Sequence, residues 1–555
     1  MASMVASLLA LTPASPAYAA TLTVNTLVDE NDGSCLDGDC SLRDALGVAD
    51  PGDTIDFSVT GTILLTSQLA ITQPVWIVGP GSNLLTIDGD ETYRVFYMNS
   101  GAINVDISGM KITGGYAIAD GGGGIYSAGA LLSLDEVIIQ DNTVNLQYGN
   151  GGGVFANTGS LTVTNSLVTE NHSDHGSGVS CNTCILSISD TEISNNDDID
   201  SHDAYTYGGG LYIVNTASAT LTRVTISGNT AGAAGGVYIS DSTVTIEESA
   251  IFNNTTDTEE AGGGLYINNP SGDTVTVKNS TISSNTNTHA SGSGGGIFIP
   301  FGTLNLNNVT IAGNTVQGLF GGGGIVSFGT VNLQNTIIAD NVSAYEFNSD
   351  DDCRGTINSL DYNLIENVSS NCTVTGVTTN NITGQDPALN YLALINSTYV
   401  HSLQTISLAI DAGNDGACET IDQRGTIRPI GPSCDIGAYE YENANPIVFN
   451  TNSSGVDSLR FAVQHLPTGG GTVTFDPSLA GQTILLGSPI TFTKDTVVDG
   501  SALDPFVTVS GGGDRIVVVD SGINVTLQGL NLEDGFASDT DGGLGGAIQN
   551  YGDLM

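Results

Sequence analysis

Between Gly121 and Asn341 one pattern returns eight times, and it confines the chain to a coil that stacks on itself. Each unit opens with glycine and an aliphatic residue: Gly124-Ile125, Gly153-Val154, Gly178-Val179, Gly210-Leu211, Gly236-Val237, Gly264-Leu265, Gly296-Ile297 and Gly324-Ile325. Ile125 and Ile325 lie 200 residues and seven steps apart, about 29 residues per step, as in solenoid repeats. A second stretch follows, such as Leu304 to Asn314, which alternates apolar and polar residues and closes on asparagine. The closing residues are Asn142, Asn171, Asn196, Asn229, Asn254, Asn285, Asn314 and Asn341. Alternation with period two means strands rather than helices. Stacked coils bring equivalent residues to one strand spacing, about 4.8 Å, so each Asn amide can bond the next. Asn also tolerates the left-handed turn conformation, which would place it at a corner. The expected architecture is a solenoid of stacked short strands; an antiparallel barrel would not explain a fixed Asn at a fixed distance after the second strand.

Composition limits the partners. The 59 acids outweigh 11 bases, for a net charge of −48. Nucleic acid is excluded by that sign, because phosphate contacts need Lys and Arg. Anionic membranes and acidic polysaccharides are disfavoured by the same repulsion. Met4 to Leu11 followed by Ala17-Tyr18-Ala19 reads as a secretory signal over residues 1–19, although no Lys or Arg precedes the apolar run. No other segment approaches 18 apolar residues, so no transmembrane helix is expected. The eight cysteines fall into close pairs, Cys35/Cys40, Cys181/Cys184, Cys353/Cys372 and Cys418/Cys434. After a signal peptide, such spacing favours disulfides over zinc. The tight spacing of Cys181 and Cys184 is the one that zinc could use, but no second such pair follows. Together these features place the protein outside a bacterial cell, secreted or on its surface.

The Gly-Gly-aliphatic and x-x-Asn motifs resemble the polymorphic outer-membrane protein repeats over roughly Ser100 to Val342. That resemblance implies an all-β, right-handed parallel β-helix but no activity, since the fold hosts lyases, hydrolases and adhesins alike. At the N-terminal end, Ser41 and Asp44 form a capping-box pattern, and Leu42, Ala45, Leu46 and Ala49 share a helical face. A short helix that plugs the first coil is predicted, with Arg43 in a structural ion pair. Cys40-Ser-Leu-Arg-Asp-Ala-Leu46 resembles the CSLREA domain, with Asp44 where that motif has Glu. Gly384-Gln-Asp-Pro387, Thr398-Tyr-Val-His401, Ala409-Ile-Asp-Ala-Gly413, Asp422-Gln-Arg-Gly425 and Cys434-Asp-Ile-Gly-Ala-Tyr-Glu440 resemble the choice-of-anchor Q domain. Neither resemblance brings a catalytic residue. Arg424 and Arg428 are expected to pair with Asp422 or Asp435. The chain then begins again: Ser458-Leu-Arg460 repeats Ser41-Leu-Arg43, and Arg515 stands to Gly545 as Arg94 stands to Gly123. The expected division is a signal over 1–19, a cap over 20–60, a β-helix over 61–345, a disulfide-containing region over 346–442, and a truncated second β-helix over 443–555.

Candidate chemistry is sparse. Asp29, Asn31, Asp32, Asp37 and Asp39 gather hard oxygen ligands beside Cys35 and Cys40 and form a candidate Ca²⁺ site. Tyr126, Phe155, Tyr212, Tyr238, Tyr266 and Phe298 each follow a repeat aliphatic residue. If the aliphatics point inward, these rings point outward in a ladder that could bind sugar. The competing expectation is that the rings stack on one another or lie under loops. His172, Asp174 and His175 offer metal-ligand types but read as a polar loop. Paired-carboxylate hydrolysis would draw on Asp197, Asp198, Asp200, Asp203 or Asp350-Asp351-Asp352, and a lyase base on Arg223 or Lys278. The favoured expectation is a non-enzymatic surface module for adhesion or ligand binding, with carbohydrate the candidate ligand. The alternatives are a polysaccharide lyase or glycoside hydrolase of the same fold, and a structural spacer.

Overall fold

The computed structural model describes residues 19–198, 206–259, 261–318, 321–344, 351–537 and 545–555; the expected signal sequence therefore lies outside the described residues, Ala19 apart. The fold is the expected all-β, right-handed parallel β-helix. One coil shows the plan. Strands Ile125–Ala128, Leu131–Asp135, Ile138–Gln140 and Thr143–Val144 follow one another around the turn, and a loop leads to the next glycines. Each strand pairs in parallel with its counterpart one coil on: Ile125 with Val154, Leu134 with Val163, Ile139 with Val168. Along the second strand of successive coils, Ile77, Ile107, Leu134, Val163 and Ile188 fall in one buried file. The core of these coils is thus a column of β-branched and leucine side chains running from Val24 to Cys372. The repeat glycines are where coils approach most closely. A Cβ on Gly153 would stand 2.6 Å from the Gly178 carbonyl oxygen and 3.1 Å from Asn171 Cγ.

The eight asparagines form one buried line. Asn142 Nδ2 donates to Asn171 Oδ1 at 2.9 Å, and the same bond joins each Asn to the next through Asn341. Each receiving oxygen also accepts the backbone N–H of the preceding Asn, at 3.0–3.1 Å. The second amide hydrogen goes to carbonyls such as Ile139 O from Asn171. Every polar atom of the amide is thereby satisfied inside an apolar column, where an unmet group would cost about 1–3 kcal/mol. One sequence expectation is corrected. The left-handed residue is not the ladder Asn but its predecessor: Asp141, Glu170, Asn195, Gly228, Asn253, Ser284, Gly313 and Asp340 all have positive φ. The corner turns one residue early, which aims the Asn side chain inward.

The N-terminal end is closed by helix α1, Leu42–Val48, with Leu42 and Ala45 buried on the first coil. Ser41 Oγ accepts the Asp44 N–H at 3.0 Å, and the Asp44 carboxylate takes the Ser41 hydroxyl and the Gly33 N–H. Arg43 grips Asp29 through two bonds of 2.7 and 2.8 Å and reaches the Gln68 and Ser67 carbonyls. The second start repeats this plan. Helix α2, Leu459–Gln464, is capped by Ser458, and Arg460 donates to the Pro489 and Ser488 carbonyls. Arg94 Nε bonds Gly122 O and Arg515 Nε bonds Gly545 O. A separate apolar column from Val448 to Val525 fills the second set of coils.

The coils do not stop at residue 345. Cys353–Leu360 and Cys372–Val377 continue the parallel pairing, and Leu364–Ile365 pairs with Ile382–Thr383. The region expected as one piece over 346–442 therefore divides. Its first part extends the solenoid, and residues 384–442 turn back along the outside as a strap over the third strands. Apolar contacts hold the strap, with Val400, Leu403, Ile436 and Tyr439 packed on Ile337 and Leu364. Among the described residues no helix is long and apolar enough to cross a membrane.

All four expected cysteine pairs are disulfides, and no cysteine is free. Cys35 bonds Cys40, Cys181 bonds Cys184, Cys353 bonds Cys372 and Cys418 bonds Cys434, with Cα separations of 4.4–6.7 Å. The bond between Cys181 and Cys184 spans a corner at which Thr183 has positive φ. Both sulfurs belong to the apolar column, so Cys184 packs as a core residue and lies away from the solvent-facing surface.

Replacing Asn254 by Ala would strand the N–H and Nδ2 donors of Asn229 and should cost about 3–5 kcal/mol in urea denaturation. Asn142→Ala, which strands the Gly115 N–H alone, should cost roughly half as much.

Candidate functional site

The strap ends part-way along the third face, and a cleft opens where it stops. Outward residues of the third strands run in file from Ile138 through Leu167, Glu192 and Thr225 to Ala250, Thr281, Thr310 and Ile337. From Ala250 onward this file is buried under the strap; Glu192 is exposed and Thr225 half-buried. Beside it runs a file of corner residues, all left-handed: Asp190, Arg223, Glu248, Asn279, Asn308 and Asn335. The residue type changes where the strap lands. Asn279 Nδ2 donates to Ile421 O, Asn308 Oδ1 accepts the Glu419 N–H, and Asn335 Oδ1 accepts the Asn414 N–H. The three corners just before the strap lands, Asp190, Arg223 and Glu248, are charged, whereas the next one upstream, Asn165, is not.

The cleft holds about 360 Å³. Asp190, Thr191, Glu192, Arg223, Thr225 and Glu248 form its floor and one wall; Asn396, Ser397, Thr398, Gln423, Arg424 and Gly425 form the other. Asn396 and Ser397 both have positive φ and make the two-residue turn of the antiparallel hairpin Ala393–Val400. Arg223 is 51% exposed, yet its guanidinium is bidentate on Asp190 at 2.7 and 2.8 Å and lies 3.4 Å from Glu248. That pairing holds the Asp190 carboxyl below its ordinary range. Sequence reading missed this cleft. The change from charged to Asn corner residues was its one visible signal.

Most basic groups elsewhere are bound into the framework. Arg424 pairs with Asp422 and Glu442 and lies 3.8 Å from the Tyr439 ring centre. Arg428 departs from expectation by pairing with Glu440 at 3.0 Å, meeting Asp435 only at its backbone carbonyl. Burial, reinforced by Glu440, pushes the Asp435 carboxyl well above its usual value, and its oxygens accept the Asp411 and Tyr441 N–H groups rather than a guanidinium. Lys278 bridges Glu247 and Glu419, and Lys494 donates to three carbonyls, with burial pushing it down to about 8.

The expected calcium set is reduced by the structure. The Asp29 side chain is 1% exposed and committed to Arg43. Burial opposes its ionisation, but hydrogen bonds from Arg43 and Thr66 outweigh it and hold the carboxyl low. Among the described residues, Asp32, Asp37 and Asp39 do gather, their oxygens within 4.8 Å of one another, all exposed. Asn31 is exposed. The cysteine ligands that zinc would need are all oxidised: Cys181 and Cys184 hold each other inside the column, where neither offers a thiolate.

The aromatic file is present and in register. Tyr97, Tyr126 and Phe155 stack in one run, and Tyr212, Tyr238, Tyr266 and Phe298 in another, at 5.1–5.8 Å between ring centres. Ser180 interrupts the file, and the His175 ring fills the gap, 5.0 Å from Tyr212. The ring faces are largely spent on one another. Tyr126, Phe155, Tyr238 and Phe298 are 8%, 6%, 8% and 1% exposed, while Tyr212 and Tyr266 are half-buried.

The described loop acids each have contacts of their own. Asp198 is buried and accepts the Thr206 hydroxyl, Asp197 is exposed, and Asp351 accepts the Ser343 N–H. Asp200, Asp203 and Asp350 lie outside the described residues. Asp352 has a distinct task. Its Oδ1 accepts Asn341 Nδ2 at 2.9 Å and ends the asparagine line, while Oδ2 accepts the Asn367 N–H at 2.7 Å. Burial pushes this carboxyl up to about 7 against those bonds.

No protein-family model and no curated protein matches the sequence. Among solved structures, pectate lyase Pel9A is similar at 15% identity and a TM-score of 0.39, over 76% of this chain and 97% of that one. The PL6 family alginate lyase AlyGC follows at 11% and 0.33, over 96% and 75%. A mannuronic acid specific family 6 lyase from human gut microbiota follows at 9% and 0.22, over 65% and 92%. At these scores the likenesses carry no weight for function or for site geometry.

Asp352 keeps its proton in the folded chain up to about pH 7, whereas an unfolded aspartate ionises near 3.8. Its contribution is thus fully present below that lower value and is lost as pH rises through 7, by up to about 4 kcal/mol. Denaturation between pH 4 and 8 should show a shallower fall for Asp352→Asn, with Glu366 and Asp340, also raised by burial, supplying the remainder.

Proposed function

We propose that this chain is a secreted, non-enzymatic β-helix module that presents a binding surface outside the cell, with carbohydrate as its ligand class. The observation that carries the reading is the commitment of the bases. Eliminative or hydrolytic cleavage needs an acid and a base poised at one bond. Arg43, Arg94, Arg223, Arg424, Arg428, Arg460 and Lys494 are instead held by carboxylates or main-chain carbonyls that shape the fold. Disulfides suit an oxidising exterior. The resemblance of the Ser41-Leu-Arg43 and Cys434-to-Glu440 segments to CSLREA and choice-of-anchor Q domains supports a place on a bacterial surface.

Calcium is proposed for Asp32, Asp37 and Asp39. The Ser34 N–H favours the Asp32 carboxylate, but the neighbouring Asp37 and Asp44 carry it above its ordinary value, and a divalent cation would relieve that repulsion. Ca²⁺ at millimolar concentration should raise the melting temperature by a few degrees, and Asp37→Asn should abolish the rise; an unchanged melt removes the site.

Neither reducing ends nor unsaturated products should accumulate from pectate, alginate, xylan or cellulose, with or without Ca²⁺. Product formation that Asp351→Asn or Asp198→Asn stops would install the polysaccharide-cleaving alternative in place of this reading.

A further inference from the structure

We propose that the cleft at the end of the strap is the saccharide site, and that it selects neutral, hydroxyl-rich glycans over uronates; this rests on the carbohydrate reading above. Its volume of about 360 Å³ suits a few sugar units. Polar side chains line it: Thr191, Thr225, Ser397 and Thr398 bring hydroxyls, Asn396 an amide, and Glu192 and Glu248 carboxylates, with their methyl and methylene carbons between them. No aromatic ring and no large aliphatic side chain lines it, and the mix of hydroxyl partners and small carbon patches suits a sugar better than a wholly apolar ligand.

Charge decides between the remaining classes. Asp190 and Arg223 neutralise each other in a bidentate pair, and Glu248 leans on the same guanidinium at 3.4 Å. Glu192 adds an exposed negative charge to the floor, within a chain of net charge −48. Arg424 also lines the wall, but its side chain is 2% exposed and already paired with Asp422 and Glu442, so a uronate entering here would meet an excess of carboxylates in a partly enclosed site. Vicinal hydroxyls are the better match, because one carboxylate can accept from two of them and the Asn396 amide can both donate and accept. The geometry also makes the site rigid before binding. Asp190, Arg223 and Glu248 sit on corners locked by the parallel register, and Gln423 is pinned between the Thr281 hydroxyl, Thr398 Oγ1 and Tyr399 O. Little ordering remains to be done when a glycan arrives.

The test is calorimetric titration of the whole chain with cellotetraose, xylotetraose and mannotetraose, against tetragalacturonate and tetramannuronate. At least one neutral tetramer should bind, and both uronates should bind at least tenfold more weakly. Thr225→Trp, which fills the floor, should weaken the neutral tetramer at least tenfold. Glu192→Lys should narrow or invert the preference, and Glu192→Gln should raise uronate binding without removing the neutral ligand. Melting temperatures within a few degrees of the parent chain establish that each variant is folded; should Thr225→Trp fail to fold, the Glu192 pair still decides the outcome. If a neutral tetramer binds and these variants leave it unchanged, the cleft assignment is overturned while the carbohydrate reading stands. If uronates bind more tightly, the ligand class is overturned. If none of the five binds, both this proposal and the carbohydrate reading fall.

Discussion

The structure depends on one repeated hydrogen bond, between the side-chain amide of an asparagine in one coil and that of the next. Backbone pairing between parallel strands fixes the spacing of coils but leaves their register open to slippage. The amide line closes that freedom. Sliding a coil by one residue would leave buried donors and acceptors unmatched at every step it touches. The line also sets what is allowed to vary. Between one ladder Asn and the next lie 29, 25, 33, 25, 31, 29 and 27 residues, and all of that variation is taken up outside the column.

A second dependence follows. Each coil turns two of its corners through left-handed residues, one before the ladder Asn and one between the second and third strands. The latter corners face outward, so their side chains decide what can lie against them. Asn279, Asn308 and Asn335 bond a returning main chain, whereas Asp190, Arg223 and Glu248 bond one another. The strap and the cleft at its end are two results of that one change in residue type.

Much of this was legible in the sequence because it obeys a period. The Asn line, the inward aliphatics, the outward aromatic file and the Ser41-Leu-Arg43 echo at Ser458 repeat at fixed offsets, and each expectation of position held. The cysteine pairs were legible for a different reason, since short separations such as that of Cys181 and Cys184 leave each sulfur one near partner. The failures came where position does not specify surroundings. Asp29 reads like Asp32 in a string of acids, yet Arg43 captures it from a helix fourteen residues away. The aromatic file was placed well, but stacking and cover left few ring faces exposed. Arg428 had Asp435 nearby in sequence, but its guanidinium meets the Glu440 carboxylate, while the Asp435 oxygens are taken by the Asp411 and Tyr441 N–H groups. The strap was hidden because residues 384–442 carry no repeat; contacts such as Asn279 to Ile421 span 142 positions.

The asparagine line runs one way. Every amide-to-amide bond is donated toward the C-terminal end, and Asp352 stands as the terminal acceptor. A coil inserted anywhere along the line needs a single credential, an asparagine that accepts from above and donates below. Unequal crossing-over within such a gene can therefore lengthen or shorten the rod by whole coils, each about 4.8 Å, without inventing a new interface. Evolution of reach is thereby uncoupled from evolution of the two ends.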